Sequence, residues 1–227
     1  MMHTRTAMLL GDTALEHLKR KKVIVFGLGG VGGHLAEALC RTGIGTIGLV
    51  DGDVVEESNL NRQLVALRST LGMSKVCVMA SRIADIDPGV AVVSHEQWLN
   101  KETLADFELE NWDYIADAID DVPAKLLLIE TARAAGIPVI SCMGTGFKLD
   151  PSRLCVADIS ETHECPLARA MRKELRSRGI SNLKVIYSAE KVRAAGAPVG
   201  APASATFVPA AAGLMIASEI VRDLLRW

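Results

Sequence analysis

The run Val23-Ile24-Val25-Phe26-Gly27 passes directly into Leu28-Gly29-Gly30-Val31-Gly32-Gly33, and a helical pattern follows. No other stretch limits the possible architectures so strongly. A short, continuous, β-branched apolar run reads as a buried strand. Gly27, Gly29 and Gly32 then fit the spacing G-x-G-x-x-G. The first glycine permits a tight turn off the strand, the second lets backbone approach a phosphate, and the third lets the helix pack close to the sheet. The N-terminus of that helix offers free N–H groups to an anion. Strand, glycine turn and helix together predict an α/β fold with a phosphate or nucleotide site.

The same alternation continues along the chain. Residues 46–51, 90–94, 113–120 and 137–142 read as further strands, and 5–20, 32–42, 74–86 and 122–135 as helices. Strands alternating with helices predict a Rossmann-like, doubly wound, mostly parallel sheet with helices on both faces. Composition agrees: 49% of the 227 residues are hydrophobic but only 4% are aromatic, so the core must be mainly aliphatic. After Gly146 the style changes. Residues 154–160 and 183–188 read as strands flanking a charged helix at 166–178, and 189–206 as a loop rich in Ala, Gly, Pro and Ser. The apolar stretch from Phe207 is interrupted by Pro209, Gly213, Ser218 and Glu219, and reads as a buried helix, not a membrane span. The expected organisation is a nucleotide-binding domain over 1–150 and a smaller C-terminal extension over 151–227, packed on the same domain.

A net charge of −2 gives no global electrostatic argument for nucleic acid, so any such contact needs a local patch. The five cysteines (40, 77, 142, 155 and 165) are odd in number and never at C-x-x-C spacing. That pattern argues against a four-thiolate zinc site and for a reduced, cytoplasmic chain. Cys142 reads as a small core thiol. His163 and Cys165 could ligate a metal, but with no second pair evident the loop reading is preferred.

Asp51 ends the second strand, where a carboxylate can accept hydrogen bonds from ribose hydroxyls; NAD and ATP fit it equally. Asp53, just beyond, is as readily an exposed turn carboxylate. The segment Ser58-Asn59-Leu60-Asn61-Arg62-Gln63-Leu64 is less ordinary. Asn59 and Gln63 share a face if a helix starts there. Arg62 supplies a rigid fork of donors that matches phosphate oxygens. Lys75, heading the next helix, can add a second positive charge. Asp117, Asp120 and Asp121 cluster at the end of the fourth strand, on the side where open α/β sheets bind ligands, and an aspartate there can hold Mg²⁺. Singly, these residues have bland readings as surface charges or helix caps. Jointly, they have the parts for triphosphate chemistry and no nearby candidate for hydride transfer.

VIVFGLGGVGGHLAEALCRTGIG, VDGDVVEESNLNRQ, Ser74-Lys75 and DAIDD at 117–121 resemble the ubiquitin-activating-enzyme-like (ThiF-MoeB-HesA) superfamily, over residues 5–150. Its members adenylate carboxylates with ATP and Mg²⁺. The resemblance implies a nucleotide site at Gly27, Gly29, Gly30 and Gly32, with Asp51 on the ribose. Asn59, Arg62 and Lys75 would hold the phosphates, with Gln63 beside them, and Asp120 would carry Mg²⁺. Arg62, Lys75 and Asp120 would serve catalysis. Arg5 aligns with an arginine that reaches the ATP of the other subunit in homodimers of the superfamily.

Residues 144–188 and 205–225 resemble the tRNA threonylcarbamoyladenosine dehydratases. Their reaction is implied: ATP adenylates the threonyl carboxylate, the carbamoyl group closes a ring, and AMP leaves. On the 166–178 helix, Arg169, Arg172, Lys173 and Arg176 recur at steps of three and four. Such a stripe can track a tRNA backbone or be a plain solvated face. The chain lacks the paired C-x-x-C of zinc-binding relatives and has no cysteine in 196–206, so a persulfide relay there is not expected. The competing readings are an activator of a small sulfur-carrier protein ending in Gly-Gly, a nicotinamide oxidoreductase, and a non-catalytic subunit. The oxidoreductase leaves Arg62, Lys75 and Asp120 unexplained.

Overall fold

The structure, a computed structural model, describes residues 2–192 and 203–227. Its strands are β1 (Lys22–Phe26), β2 (Thr46–Val50), β3 (Ala91–His95), β4 (Tyr114–Asp117), β5 (Val139–Cys142), β6 (Leu154–Asp158) and β7 (Lys184–Ser188). They form one sheet in the order β3-β2-β1-β4-β5-β7-β6. Every pairing is parallel except β6 with β7. From β1 the chain winds outward through β2 and β3, then returns to β4 on the other side of β1. The crevice at this reversal, beyond the C-terminal strand ends, is where a doubly wound sheet takes its ligand.

The helices are α1 (Thr4–Leu10), α2 (Asp12–Leu18), α3 (Gly32–Thr42), α4 (Lys75–Ile86), α5 (Val122–Ala134), α6 (Pro166–Ser177) and α7 (Phe207–Leu225). The single helix expected over 5–20 is two, because Gly11 takes φ +87° between them. The strand expected over 113–120 stops at Asp117, whose Oδ1 accepts the Ile119 N–H and turns the chain out of the sheet. Residues 193–202 of the expected 189–206 loop, with most of its cysteine-free part, lie outside the described residues.

Both faces of the sheet are covered. On one, Leu35 and Leu39 of α3, Met79 and Ile83 of α4, and Ile216 and Ile220 of α7 pack on Val23, Val25, Ile47 and Leu49. On the other, Phe26, Phe107, Trp112 and Leu128 form a second core. A third, around Met171, Leu175, Val185 and Tyr187, seats α6 on β6 and β7. Full burial of each large aliphatic side chain contributes about 1.5–3 kcal/mol. Helix α7 crosses back over α3: a Cβ at Gly213 would overlap the Val31 carbonyl and stand 3.0 Å from the Leu35 nitrogen. The last helix of the chain thus lies against the helix that follows the glycine turn.

Candidate active site

A cavity of about 830 Å³ opens at the C-terminal ends of β1, β2 and β4. That size suits a nucleotide. Its floor is the glycine turn. Gly27 leaves β1 at φ +88°, a left-handed conformation, and a Cβ there would stand 2.8 Å from the Ala118 carbonyl oxygen. Gly32 lies beneath the turn, where a Cβ would overlap the Gly27 carbonyl. At Gly30 a Cβ would meet Pro209 at 3.2 Å and Arg62 Cγ at 3.5 Å, so its absence leaves room between turn and arginine.

Asp51 is buried at the cavity wall, with Oδ2 accepting the Leu28 N–H at 2.6 Å and Oδ1 the Asp53 N–H at 2.8 Å. Burial raises its pKa above the ordinary value, against the pull of those N–H groups and of the Lys75 charge. Each carboxylate oxygen keeps a lone pair for a further donor.

The segment after Asp51 places its polar groups on the same cavity. Asn59 ends a short 3-10 turn (Glu57–Asn59), its Oδ1 accepting the Glu56 N–H at 3.1 Å and its Nδ2 donating to Ser58 Oγ at 3.2 Å. Gln63 is buried, and its Oε1 has no partner among the described residues. Arg62 donates from Nη1 to the Ser58 carbonyl at 2.8 Å and to Asn61 Oδ1 at 2.9 Å. These bonds fix the guanidinium and leave other N–H donors for a ligand. Lys75 opens α4 with its side chain 5% exposed and its ammonium 2.7 Å from Asp53 Oδ2. Asp53 therefore holds the lysine that a triphosphate would attract.

The three aspartates after β4 do separate work. Asp117 is fully buried, 2.9 Å from the Lys125 ammonium, and accepts from Ser141 Oγ at 2.6 Å. Asp121 caps α5, accepting the Ala124 N–H at 2.8 Å. The Asp120 side chain lines the cavity and has no hydrogen bond or ion pair among the described residues. No three His, Cys, Asp or Glu side chains group to hold a metal among the described residues. The donor set still suits Mg²⁺, which is commonly held by one or two carboxylates together with substrate phosphates.

Some expected residues lie elsewhere. Arg5 is exposed on α1 and does not line this cavity. Arg169, Lys173 and Arg176 are exposed on α6. Arg172 breaks the stripe: its Nη1 donates to the Thr162 carbonyl at 2.9 Å and the Ile159 carbonyl at 3.2 Å. Cys142 is buried at the cavity edge, and burial pushes its thiol up to about 12. His163 Nδ1 meets the Tyr187 hydroxyl at 3.1 Å, and Cys165 is buried at the start of α6.

Sequence reasoning missed Gln97, Trp98 and Leu99 after β3, and Gly144 to Gly146 after β5, all lining the cavity. The strand-end rule could have found both. Leu167 of α6 and Pro209 of α7 also line it, so the C-terminal extension builds one wall. The Asp117–Lys125–Ser141 group had one available signal, a lysine set into the apolar run that opens α5.

Residues 3–227 match the ThiF family. A Bacillus subtilis tRNA threonylcarbamoyladenosine dehydratase is 41% identical across all of this chain and 96% of its own length. The Escherichia coli tRNA N6-threonylcarbamoyladenosine dehydratase TcdA, solved with AMP, superposes with a TM-score of 0.92 at 34% identity, covering 98% of this chain and 93% of that one. TcdA solved with ATP gives 0.91 at the same identity and coverage.

Proposed function

The chain belongs to the ThiF family, and from that premise we propose that it is an ATP-dependent tRNA threonylcarbamoyladenosine dehydratase. The threonyl carboxylate of the modified adenosine attacks the α-phosphorus of ATP and pyrophosphate leaves. The substrate's own carbamoyl group then attacks the acyl-adenylate, the ring closes, and AMP departs. The net change in the nucleoside is loss of one water.

The observation that carries this reading is the convergence of Asp51, Arg62, Lys75 and Asp120 on one cavity whose far wall is built by the C-terminal extension. Asp51 holds the ribose. The glycine turn, Asn59, Arg62 and Lys75 hold the phosphates, and the unpartnered Gln63 Oε1 accepts from a nucleotide O–H or N–H group or from a water beside them. Asp120 would hold Mg²⁺, which would supply positive charge to offset that on the leaving pyrophosphate. Arg62 and Lys75 stabilise the charge that develops on the phosphates in the first step. Exposed Arg169, Lys173 and Arg176 contact the tRNA backbone.

The protein acts as a homodimer in the cytoplasm, with Arg5 reaching the partner's ATP. Two observations support the dimer: Met8 and Leu9 on α1 are 82% and 81% exposed, and α1 buries no residue in its own protomer. Among the described residues no helix is long and apolar enough to cross a membrane.

The test is ATP consumption with bulk tRNA from a strain lacking this activity, followed by mass analysis of the digested nucleosides. The expected result is AMP together with a nucleoside lighter by one water, both lost in a folded Arg62→Ala variant. Pyrophosphate exchange only with a Gly-Gly-ended carrier protein would replace this reading with carrier activation.

A further inference from the structure

Lys148 is only 4% exposed, two residues beyond the Gly144–Gly146 wall of the cavity. Buried lysines are rare and normally paired with a carboxylate. Here the hydrogen-bond partners among the described residues are three backbone carbonyls: Glu164 at 3.3 Å, Ser188 at 3.3 Å, and Glu190. Three acceptors require three donors. An ammonium has three N–H groups and a neutral amine only two, so the protonated form matches the cage. Burial pulls the lysine pKa below its ordinary value, against the opposing influence of Cys165 and of the Glu190 and Glu164 carboxylates nearby.

The three carbonyls come from two places in the extension, 164 and 188–190. Glu164 directly precedes Cys165, the N-cap of α6; Ser188 ends β7; and Glu190 follows it. Glu190 also reaches back with its carboxylate, accepting the Leu149 and Asp150 N–H groups at 2.9 and 2.8 Å. The backbone on both sides of this knot is held in left-handed conformations that side chains rarely adopt: Phe147 at φ +59° and Glu164 at φ +55°. Such conformations persist only where surrounding contacts over-determine them.

We propose that Lys148 is a positioning residue whose side-chain ammonium acts as a built-in monovalent cation. It joins the 144–146 wall to the start of α6 and the end of β7, and so sets the acceptor side of the site. This rests on the function proposed above. The ATP side is assembled from other segments, 27–32, 51–75 and 117–121, and the hydrogen-bond partners of Lys148 among the described residues all lie outside them. Lys148 therefore governs use of the tRNA substrate and not affinity for ATP.

Two variants test this. Lys148→Met keeps the length and volume without the charge. Lys148→Ala removes the ammonium and leaves the Glu164, Ser188 and Glu190 carbonyls free to accept K⁺ or NH₄⁺ from solution. Each is assayed for ATP affinity by equilibrium binding, for KM and kcat with tRNA, and for melting temperature. The assays use choline chloride, KCl or NH₄Cl at equal ionic strength. For Lys148→Met we expect kcat/KM for tRNA to fall by about tenfold or more, with ATP affinity within about twofold of wild type. For Lys148→Ala we expect the same loss in choline, with recovery of turnover and melting temperature in NH₄Cl or KCl. Neither wild type nor Lys148→Met should respond to the cation.

Wild-type tRNA turnover in Lys148→Met would overturn the proposal. So would equal losses of ATP affinity and tRNA turnover, or no cation response in Lys148→Ala. A melting response without recovery of turnover would reduce Lys148 to a scaffold and overturn the positioning role. If the wild-type protein itself makes no AMP with tRNA, the proposed function fails instead, and cation-dependent melting of Lys148→Ala still decides whether the cage is a cation site.

Discussion

Asp51 holds a carboxylate where the fold disfavours charge. Burial is the largest influence on it and raises its pKa, outweighing the Leu28 and Asp53 N–H groups and the Lys75 ammonium. If Asp51 holds the ribose as proposed, the ionised form, with both oxygens accepting, binds the hydroxyls better than the protonated one. ATP affinity should therefore weaken as pH falls through this raised pKa, at higher pH than an ordinary aspartate would require, near 4. Stability linkage has the opposite sign. A carboxyl whose folded pKa lies above its unfolded value favours the folded state more as pH falls through that range. Loss of affinity without loss of fold is thus the expected signature. ATP dissociation constants measured against pH should show this fall in the wild type, and a weaker, flatter profile in Asp51→Asn. Parallel profiles for the two proteins would remove Asp51 from the ribose. At this scale Asp51, Arg62, Gln63 and Lys75 were legible because their types and spacing follow a glycine turn. The division of labour among Asp117, Asp120 and Asp121 was not. It depends on Lys125 and Ser141 arriving from α5 and β5 to claim Asp117. Arg172 escaped for the same reason, since its carbonyl partners lie outside its own helix.

Between elements, the contact most closely tied to the site is α7 on α3. A glycine in the middle of a helix ordinarily costs up to about 1 kcal/mol against alanine. Gly213→Ala in α7 would then be expected to stabilise the protein. The packing reverses the sign. The added methyl would overlap the Val31 carbonyl and crowd His34 Cβ at 3.1 Å, and a carbonyl at the start of a helix cannot rotate away. We expect destabilisation of about 1–3 kcal/mol, the usual cost of overpacking. As α7 moves off, Pro209 leaves Gly30, and the Michaelis constant for ATP should rise as well. Chemical denaturation with ATP titration checks both; a stabilised variant with normal ATP use would mean that the two helices separate easily. Most elements were legible from periodicity: β-branched runs gave the parallel strands, and 3.6-residue spacing gave α3 to α6. The ends were less so. Gly11 splits the first helix by its backbone angle, and Asp117 stops β4 through a hydrogen bond to Ile119. Neither leaves a periodic trace. The antiparallel turn of β6 against β7 depends on which edge of the sheet was still open.

In the whole molecule, α1 is poorly accounted for by one copy of the chain. Seven residues form a helix with no buried side chain, and Met8 and Leu9 face outward. A helix so short gains little from its own hydrogen bonds and needs tertiary contacts to persist. Its ties within the protomer are at its two ends, where His3 Nε2 lies 3.0 Å from Asp87 Oδ2 and the partly buried Leu10 packs against the main core. A second copy would cover the apolar residues. In a two-fold dimer built on α1, Arg5 on that same helix would lie at the interface in both protomers. Sequence could supply Arg5 only through family resemblance, because a residue that acts across an interface need show no local pattern. Mixing variants separates the arrangements. Arg5→Ala and Arg62→Ala should each be inactive alone. If Arg5 acts across the interface, the mixed dimer has one site with both arginines and one with neither. Random exchange makes half the dimers mixed, so co-refolding equal amounts should restore about a quarter of the wild-type rate of AMP formation. If Arg5 serves its own protomer, each site of the mixed dimer lacks one arginine and nothing is restored. A mixture that stays inactive while native mass spectrometry shows mixed dimers would reject the crossed arrangement. If only monomers are found, the dimer is rejected, and the outward-facing α1 must meet a different partner.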